Sequence, residues 1–207
     1  VITNWIPQLF KREVQEEIDP DMKFLIAGLG NMHPDYDGTR HNVGFELVDL
    51  LAQENRGTFK NDTLGDVALI KHRGRHIHLL KPSTYMNRSG KSVRFWMQKL
   101  KIPIANVLVV VDDINLDFGT LRMRGKGADG GHNGLKDIQQ MLGTNKYARL
   151  RIGIGDNFFK GRQVEYVLGK WTDGELDRLG EILTKSGEAV LSFCSIGLSH
   201  TMNKFNS

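Results

Sequence analysis

The chain has 207 residues, of which 40% are hydrophobic and 25% charged, with a net charge of +4. That composition excludes a largely disordered chain, and no apolar run reaches the ~18 residues a membrane helix needs. The single cysteine, Cys194, excludes an internal disulfide framework and any multi-thiolate metal site.

In chain order, residues 1–21 come first, with two basic and five acidic side chains. Ile6, Leu9, Phe10, Val14 and Ile18 fall near helical spacing, and Asp19-Pro20 would end that helix. No basic region leads into a continuous apolar stretch, so this is not a secretory signal. The expectation is an N-terminal extension over 1–21 and one functional domain over 22–207.

Residues 24–28 are a short apolar run ending in glycine, which suits a buried strand. Residues 42–54 place Val43, Phe45, Leu47, Val48, Leu50 and Leu51 on a broad helical face, with Asn42 as the predicted cap. Residues 66–71 and 75–80 flank His72-Arg73-Gly74 as a hairpin. A helix is predicted over 89–100, started by Ser89 and stopped before Pro103. Residues 106–112 are the most apolar strand and the predicted centre of the sheet. Residues 120–124 alternate Leu121 and Met123 with Arg122 and Arg124, as a half-exposed strand does. A short helix over 135–142, a strand over 149–154, and a short element of either type over 164–168 follow. The last element is a long amphipathic helix over 173–196, with a break expected near Gly187 and Cys194 in the core. The alternation implies one α/β domain with a mixed, mostly parallel central sheet and helices on its faces.

In such sheets ligands bind beyond the carboxyl ends of strands, which directs attention to the segments after Gly28, Leu80 and Val111. The first, GLGNMHPDYDGTRHNVGF, delivers Asn31 and His41. It fails as a dinucleotide fingerprint, because His33 takes the third glycine's place and a long loop precedes the helix. Its glycines are read as a tight turn. The second, KPSTYMNRSG, brings Asn87 to another strand end. In the third, Asp112 and Asp113 point to opposite faces of an extended strand. One enters the cleft and holds a histidine by its Nδ1–H, and the other is solvent-facing or a turn residue. Residues 119–134 hold six glycines with Arg122, Arg124, Lys126, His132 and Asn133. This is either a solvated loop or, standing just before a helix, an anion-binding one. His72, His76 and His78 are read as a surface strand without metal spacing. No Walker-type phosphate loop and no G-x-S-x-G elbow is present.

The segments GLGN…YDGTRHNVGF, PSTYMNRSGKSV, VVVDDINL, GGHNGLKDI and RLRIGIG closely resemble, in order and spacing, the bacterial-type peptidyl-tRNA hydrolase family. The resemblance runs from about Met22 to Ser207. It implies hydrolysis of the ester joining a peptide to the tRNA 3′ ribose, which recycles tRNA from prematurely released chains. It makes His41 the catalytic histidine and Asp112 the carboxylate that orients it. Asn31, Asn87 and Asn133 match the family's cleft amides, with Tyr36 and Tyr85 beside them as substrate-binding residues. Arg122, Arg124 and Arg151 fall where the family binds tRNA. The implied enzyme needs no metal or cofactor, and is a cytoplasmic monomer with no membrane association. The chain departs from the family pattern at His33, Val111, Asp113, Asp117-Phe118 and Asp129, none of them among these residues. A non-catalytic RNA-binding paralogue on the same fold is the alternative. Residues 119–151 carry seven basic and two acidic side chains, so the positive charge gathers in that region, the expected tRNA face.

Overall fold

β1 (Lys23–Gly28) is the pivot of a seven-stranded sheet in the computed structural model, which describes residues 19–206. The helix expected within 1–21 lies almost wholly outside those residues. The other strands are β2 (Lys60–Asp62), β3 (Gly65–His72), β4 (Arg75–Pro82), β5 (Val107–Asp113), β6 (Leu121–Arg124) and β7 (Ala148–Gly153). Their order is β2-β3-β4-β1-β5-β7-β6. The three pairings among the central strands β4, β1, β5 and β7 are parallel, and the outer three pairings are antiparallel. The apolar run of β5 is buried at every position and lies between β1 and β7, as its composition predicts. β2 has the sequence Lys-Asn-Asp, which carries no strand signature, and it forms by pairing with β3. β3 and β4 close over Arg73-Gly74, both with positive φ, the geometry of a tight two-residue hairpin.

Among the described residues, five α-helices flank the sheet: α1 (Val43–Glu54), α2 (Ser89–Lys99), α3 (Asn133–Leu142), α4 (Gln163–Val167) and α5 (Asp173–Phe205). Strand side chains alternate between two cores. Ile26, Leu79, Leu108 and Val110 pack with Leu47, Leu51 and Val190 of α1 and α5. Leu25, Leu80, Val109 and Val111 pack with Val93, Trp96, Leu135 and Ile138 of α2 and α3.

Three local expectations are corrected. The long C-terminal helix breaks at Gly197, where φ is 81°, and not at Gly187, which is buried against Leu51. Ser89 does not cap α2 from outside. It is the first helical residue, its hydroxyl donates to the Met86 carbonyl, and the Asp137 carboxylate accepts from Gly90 N at 2.6 Å instead. Gly28 is not a turn residue. A Cβ there would sit 2.1 Å from the Gly44 carbonyl oxygen, so glycine is what lets α1 start against the end of β1. That close approach brings the turn before α1 beside the end of β5.

Candidate active site

A cleft of about 350 Å³ opens where β1, β4, β5 and β7 end. It is lined by Asn31, His41, Tyr85, Asn87, Asp112, Asn133 and Arg151, so the fold assembles seven of the ten predicted site residues in one place. Tyr36 is not among the lining residues and its ring packs against His33. Arg122 and Arg124 lie on β6, away from the cleft wall.

His41 sits in the 3-10 turn Arg40–Asn42 that leads into α1. Its Nδ1 is 2.8 Å from Asp112 Oδ1, and its side chain is 14% exposed. Asp112 is buried at the end of β5. Burial pushes the carboxyl's pKa up. Electrostatic attraction to His41 and hydrogen bonds from His132 and His41 outweigh it and hold the group well below the usual carboxylate range. An ionised carboxylate accepts a hydrogen bond from Nδ1–H of His41, leaving Nε2 as the basic nitrogen.

In the sequence His132 stands in the glycine-rich loop and in the GGHNGLKDI segment, with no role of its own. In the structure its Nε2 lies 3.2 Å from the same Asp112 oxygen. Its Nδ1 accepts the Gly134 and Leu135 N–H groups, at 3.1 and 3.3 Å, as the cap of α3. A nitrogen that accepts two backbone N–H groups carries no proton, so Nε2–H donates to Asp112. Asp112 thus receives two imidazole N–H groups on one oxygen, with the rings 5.1 Å apart. The signal for His132 was its place next to Asn133 at a helix start. These three residues also form the one group among the described residues whose ligand atoms could hold a metal ion, all within 4.8 Å of one another.

Asn42 does not cap α1. Its side chain faces the other way and pairs with both backbone groups of Asn31: Asn31 N donates to Oδ1 at 2.8 Å, and Nδ2 donates to the Asn31 carbonyl at 3.0 Å. Behind His41, the buried Arg40 forms a bidentate pair with Glu175 at 3.1 and 2.6 Å and donates to the Tyr166 and Lys170 carbonyls. One guanidinium therefore fixes the His41 turn to the ends of α4 and α5. From α4 and just beyond it, Gln163, Val164, Val167 and Leu168 line the cleft.

Asp113 is not solvent-facing. It is buried, receives Arg151 at 3.0 Å on one oxygen, and holds the turn through Asn115 on the other. Arg151 also donates to the Ala128 carbonyl. Register puts Arg122 opposite Arg151 and Arg124 opposite Arg149, so four arginines share one face of β6 and β7. Arg149 is fully buried, donating to the Gly127, Ala128 and Asn145 carbonyls and stacking on Tyr147. The glycine-rich loop is thus tied down from beneath by Arg149 and Arg151. The exposed basic face is narrower than the sequence count implied: Arg124, Lys126, Lys136 and Lys146 are exposed and Arg122 is half-buried.

A buried carboxylate holding an imidazole, in a cleft ringed by amides at the carboxyl edge of a parallel sheet, is an arrangement suited to a hydrolase of the general-base class. The comparisons place it more narrowly. The family model described as Peptidyl-tRNA hydrolase matches residues 25–207. A peptidyl-tRNA hydrolase of Bacteroides fragilis is 52% identical over 185 residues, covering 89% of this chain and 99% of its own. One from Porphyromonas gingivalis is 50% identical over 185 residues, covering 89% and 100%. The crystal structure of peptidyl-tRNA hydrolase from Acinetobacter baumannii superposes with a TM-score of 0.84 at 36% identity, covering 90% of this chain and 96% of that one. The chain belongs to the peptidyl-tRNA hydrolase family and is an enzyme of that activity. The non-catalytic alternative has no feature of this site to rest on, since the histidine and its carboxylate are in place. Among the described residues no helix is long and apolar enough to cross a membrane.

Proposed function

We propose that His41 is the general base that takes a proton from water as it attacks the ester carbonyl joining peptide and tRNA. The observation that carries this is the 2.8 Å contact between His41 Nδ1 and Asp112, which leaves Nε2 as the free base. An ester needs a positioned water and a base, with donors for the oxygen that gains charge. The side-chain amides of Asn31, Asn87 and Asn133 supply those donors and grip the peptide backbone. Tyr85 lines the same cleft and contacts the acyl portion. Tyr36 acts at one remove, because its carbonyl accepts the Thr39 hydroxyl and so fixes the loop before His41.

Arg122 and Arg124 bind the tRNA backbone, and Arg151 orients the loop that borders both sites. The catalytic domain comprises 22–207 and works as a cytoplasmic monomer without metal or cofactor.

The decisive experiment follows release of tRNA from an N-acetyl-aminoacyl-tRNA. His41→Ala is expected to lower kcat by about 10²–10⁴-fold with unchanged thermal unfolding. Asp112→Asn is expected to do nearly as much by releasing the imidazole tautomer. A chelator is expected to leave the wild-type rate intact. Near-normal turnover in His41→Ala would overturn the mechanism, and loss of activity with chelator would make His41, Asp112 and His132 a metal site.

A further inference from the structure

The loop between β7 and α4 carries consecutive aromatic residues with opposite environments. Phe158 is half-buried, its ring 5.0 Å from that of Tyr166. Tyr166 is itself immobilised: its hydroxyl donates to the Ile154 carbonyl at 2.6 Å, and the Arg40 guanidinium covers its ring at 4.3 Å. Phe158 therefore rests on a rigid base. The next side chain, Phe159, is 87% exposed, more than any other large apolar side chain described. Leaving a phenylalanine ring in water forgoes the favourable free energy of its burial.

Its surroundings give that exposure a direction. Phe159, Phe158, Arg162, Glu165 and Tyr166 border a shallow groove. The next two most exposed large apolar side chains, Tyr85 and Val164, line the catalytic cleft, and Val164 follows Phe159 by five residues. Gln163, Val164, Val167 and Leu168 border the cleft and Arg162, Glu165 and Tyr166 border the groove, so the two lie on either side of the short helix α4, and an exposed ring beside a groove marks a binding surface. Lys160, beside Phe159, is exposed and has no ion-pair partner among the described residues. Arg162 pairs with Glu165.

We propose that Phe159 is a stacking platform for a base of the unpaired 3′ end of the tRNA, with Lys160 meeting the adjoining phosphate. An aromatic face beside an unpaired cation is what one unpaired nucleotide requires, base on ring and phosphate on ammonium. A peptide backbone instead requires amide donors and acceptors, and the cleft amides of Asn31, Asn87 and Asn133 already offer these. The platform rests on the peptidyl-tRNA reading and deepens it, by giving the ester's nucleic-acid side its own contact across α4 from the cleft.

The test combines steady-state hydrolysis with binding of deacylated tRNA, either intact or trimmed of its unpaired 3′ nucleotides. The variants are Phe159→Ala, Phe159→Leu and Phe159→Trp, each checked for unchanged thermal unfolding. Wild type is expected to bind intact tRNA more tightly than trimmed tRNA. Phe159→Ala and Phe159→Leu are expected to lose that preference and to raise KM by about 5-fold or more, with kcat within about 2-fold; Phe159→Trp retains both. An unchanged KM in Phe159→Ala, or a Phe159→Leu enzyme equal to wild type, would overturn the proposal. So would a defect that persists on a single-nucleoside ester and varies with the acyl group, which would give the ring to the peptide. If wild type failed to cleave the ester, the catalytic reading would fall, and the binding comparison would still decide the platform.

Discussion

The Asn42 side chain holds the backbone of Asn31 at both its N–H and its carbonyl, so the residue after His41 fixes a cleft residue eleven positions before it. His41 and Asn31 are therefore positioned by one rigid unit. Asn42→Ala is expected to leave both Asn31 backbone groups unpaired, at a cost of about 1–3 kcal/mol each if they stay dry. It is also expected to lower kcat by about 10–100-fold through misplacement of the Asn31 side chain. Denaturant unfolding and single-turnover kinetics check the two effects separately. Full activity would mean that Asn31 needs no such support.

The Arg40–Glu175 pair is shielded, with side chains 7% and 15% exposed. Breaking a pair of that kind strands the remaining charge. Arg40→Met is expected to destabilise the fold by about 3–5 kcal/mol, and the Tyr166 and Lys170 carbonyls lose their donor as well. Glu175→Gln alone is expected to cost less, because its amide can still accept from the guanidinium. The double variant is expected to be less destabilised than the two single effects combined, since each single change removes the same interaction. Strict additivity in the cycle would show that the pair is not coupled.

Arg122 and Arg124 have no carboxylate partner among the described residues, in contrast to Arg151, which is held by Asp113. Arg122→Ala with Arg124→Ala is expected to raise KM for the tRNA substrate and change kcat little. The slope of log affinity against log salt is expected to shrink by about 1.5–2, one released counterion per lost phosphate contact. Salt titration of tRNA binding measures this directly. An unchanged slope would remove these residues from the tRNA interface.

His78 supplies a pH dependence of stability. Burial first, then the nearby His76 and Lys23 charges, push its pKa down to about 4. The unfolded chain titrates near 6.5, so between pH 6.5 and 4 it binds a proton that the folded chain refuses. Stability is complete above pH 6.5 and falls as the pH drops through that window. The loss is on the order of 3 kcal/mol, and His76 and His72, also shifted down, add to it in the same direction. The urea midpoint is expected to fall on acidification to pH 4, and His78→Gln is expected to flatten the fall. Parallel profiles for wild type and variant would assign the acid sensitivity elsewhere.

Much of this protein is written locally. The apolar run of β5 dictates a central buried strand, and the alternation in residues 121–124 dictates a half-exposed one. The motif-bearing segments each stand just after a strand, so the location of the cleft, and of His41, Asp112 and the three asparagines, follows from strand order in an α/β sheet. What was not legible depended on partners distant in sequence. Nothing around His132 says that its far nitrogen meets Asp112, twenty residues earlier. Arg40 reads as one basic residue beside His41 until Glu175 arrives from 135 positions away.

Asn42 satisfies every local rule for a helix cap, and the tertiary fold uses its amide on the Asn31 backbone instead. Charge counting failed for the same reason. Arg149 and Arg151 contribute to the sequence's basic region, yet packing spends them on loop carbonyls and Asp113. Sequence periodicity and motif spacing determined which elements form and which residues reach the cleft. Side-chain hydrogen-bonding capacity is filled by whichever group the fold brings within about 3 Å, and only the tertiary structure decides which group that is.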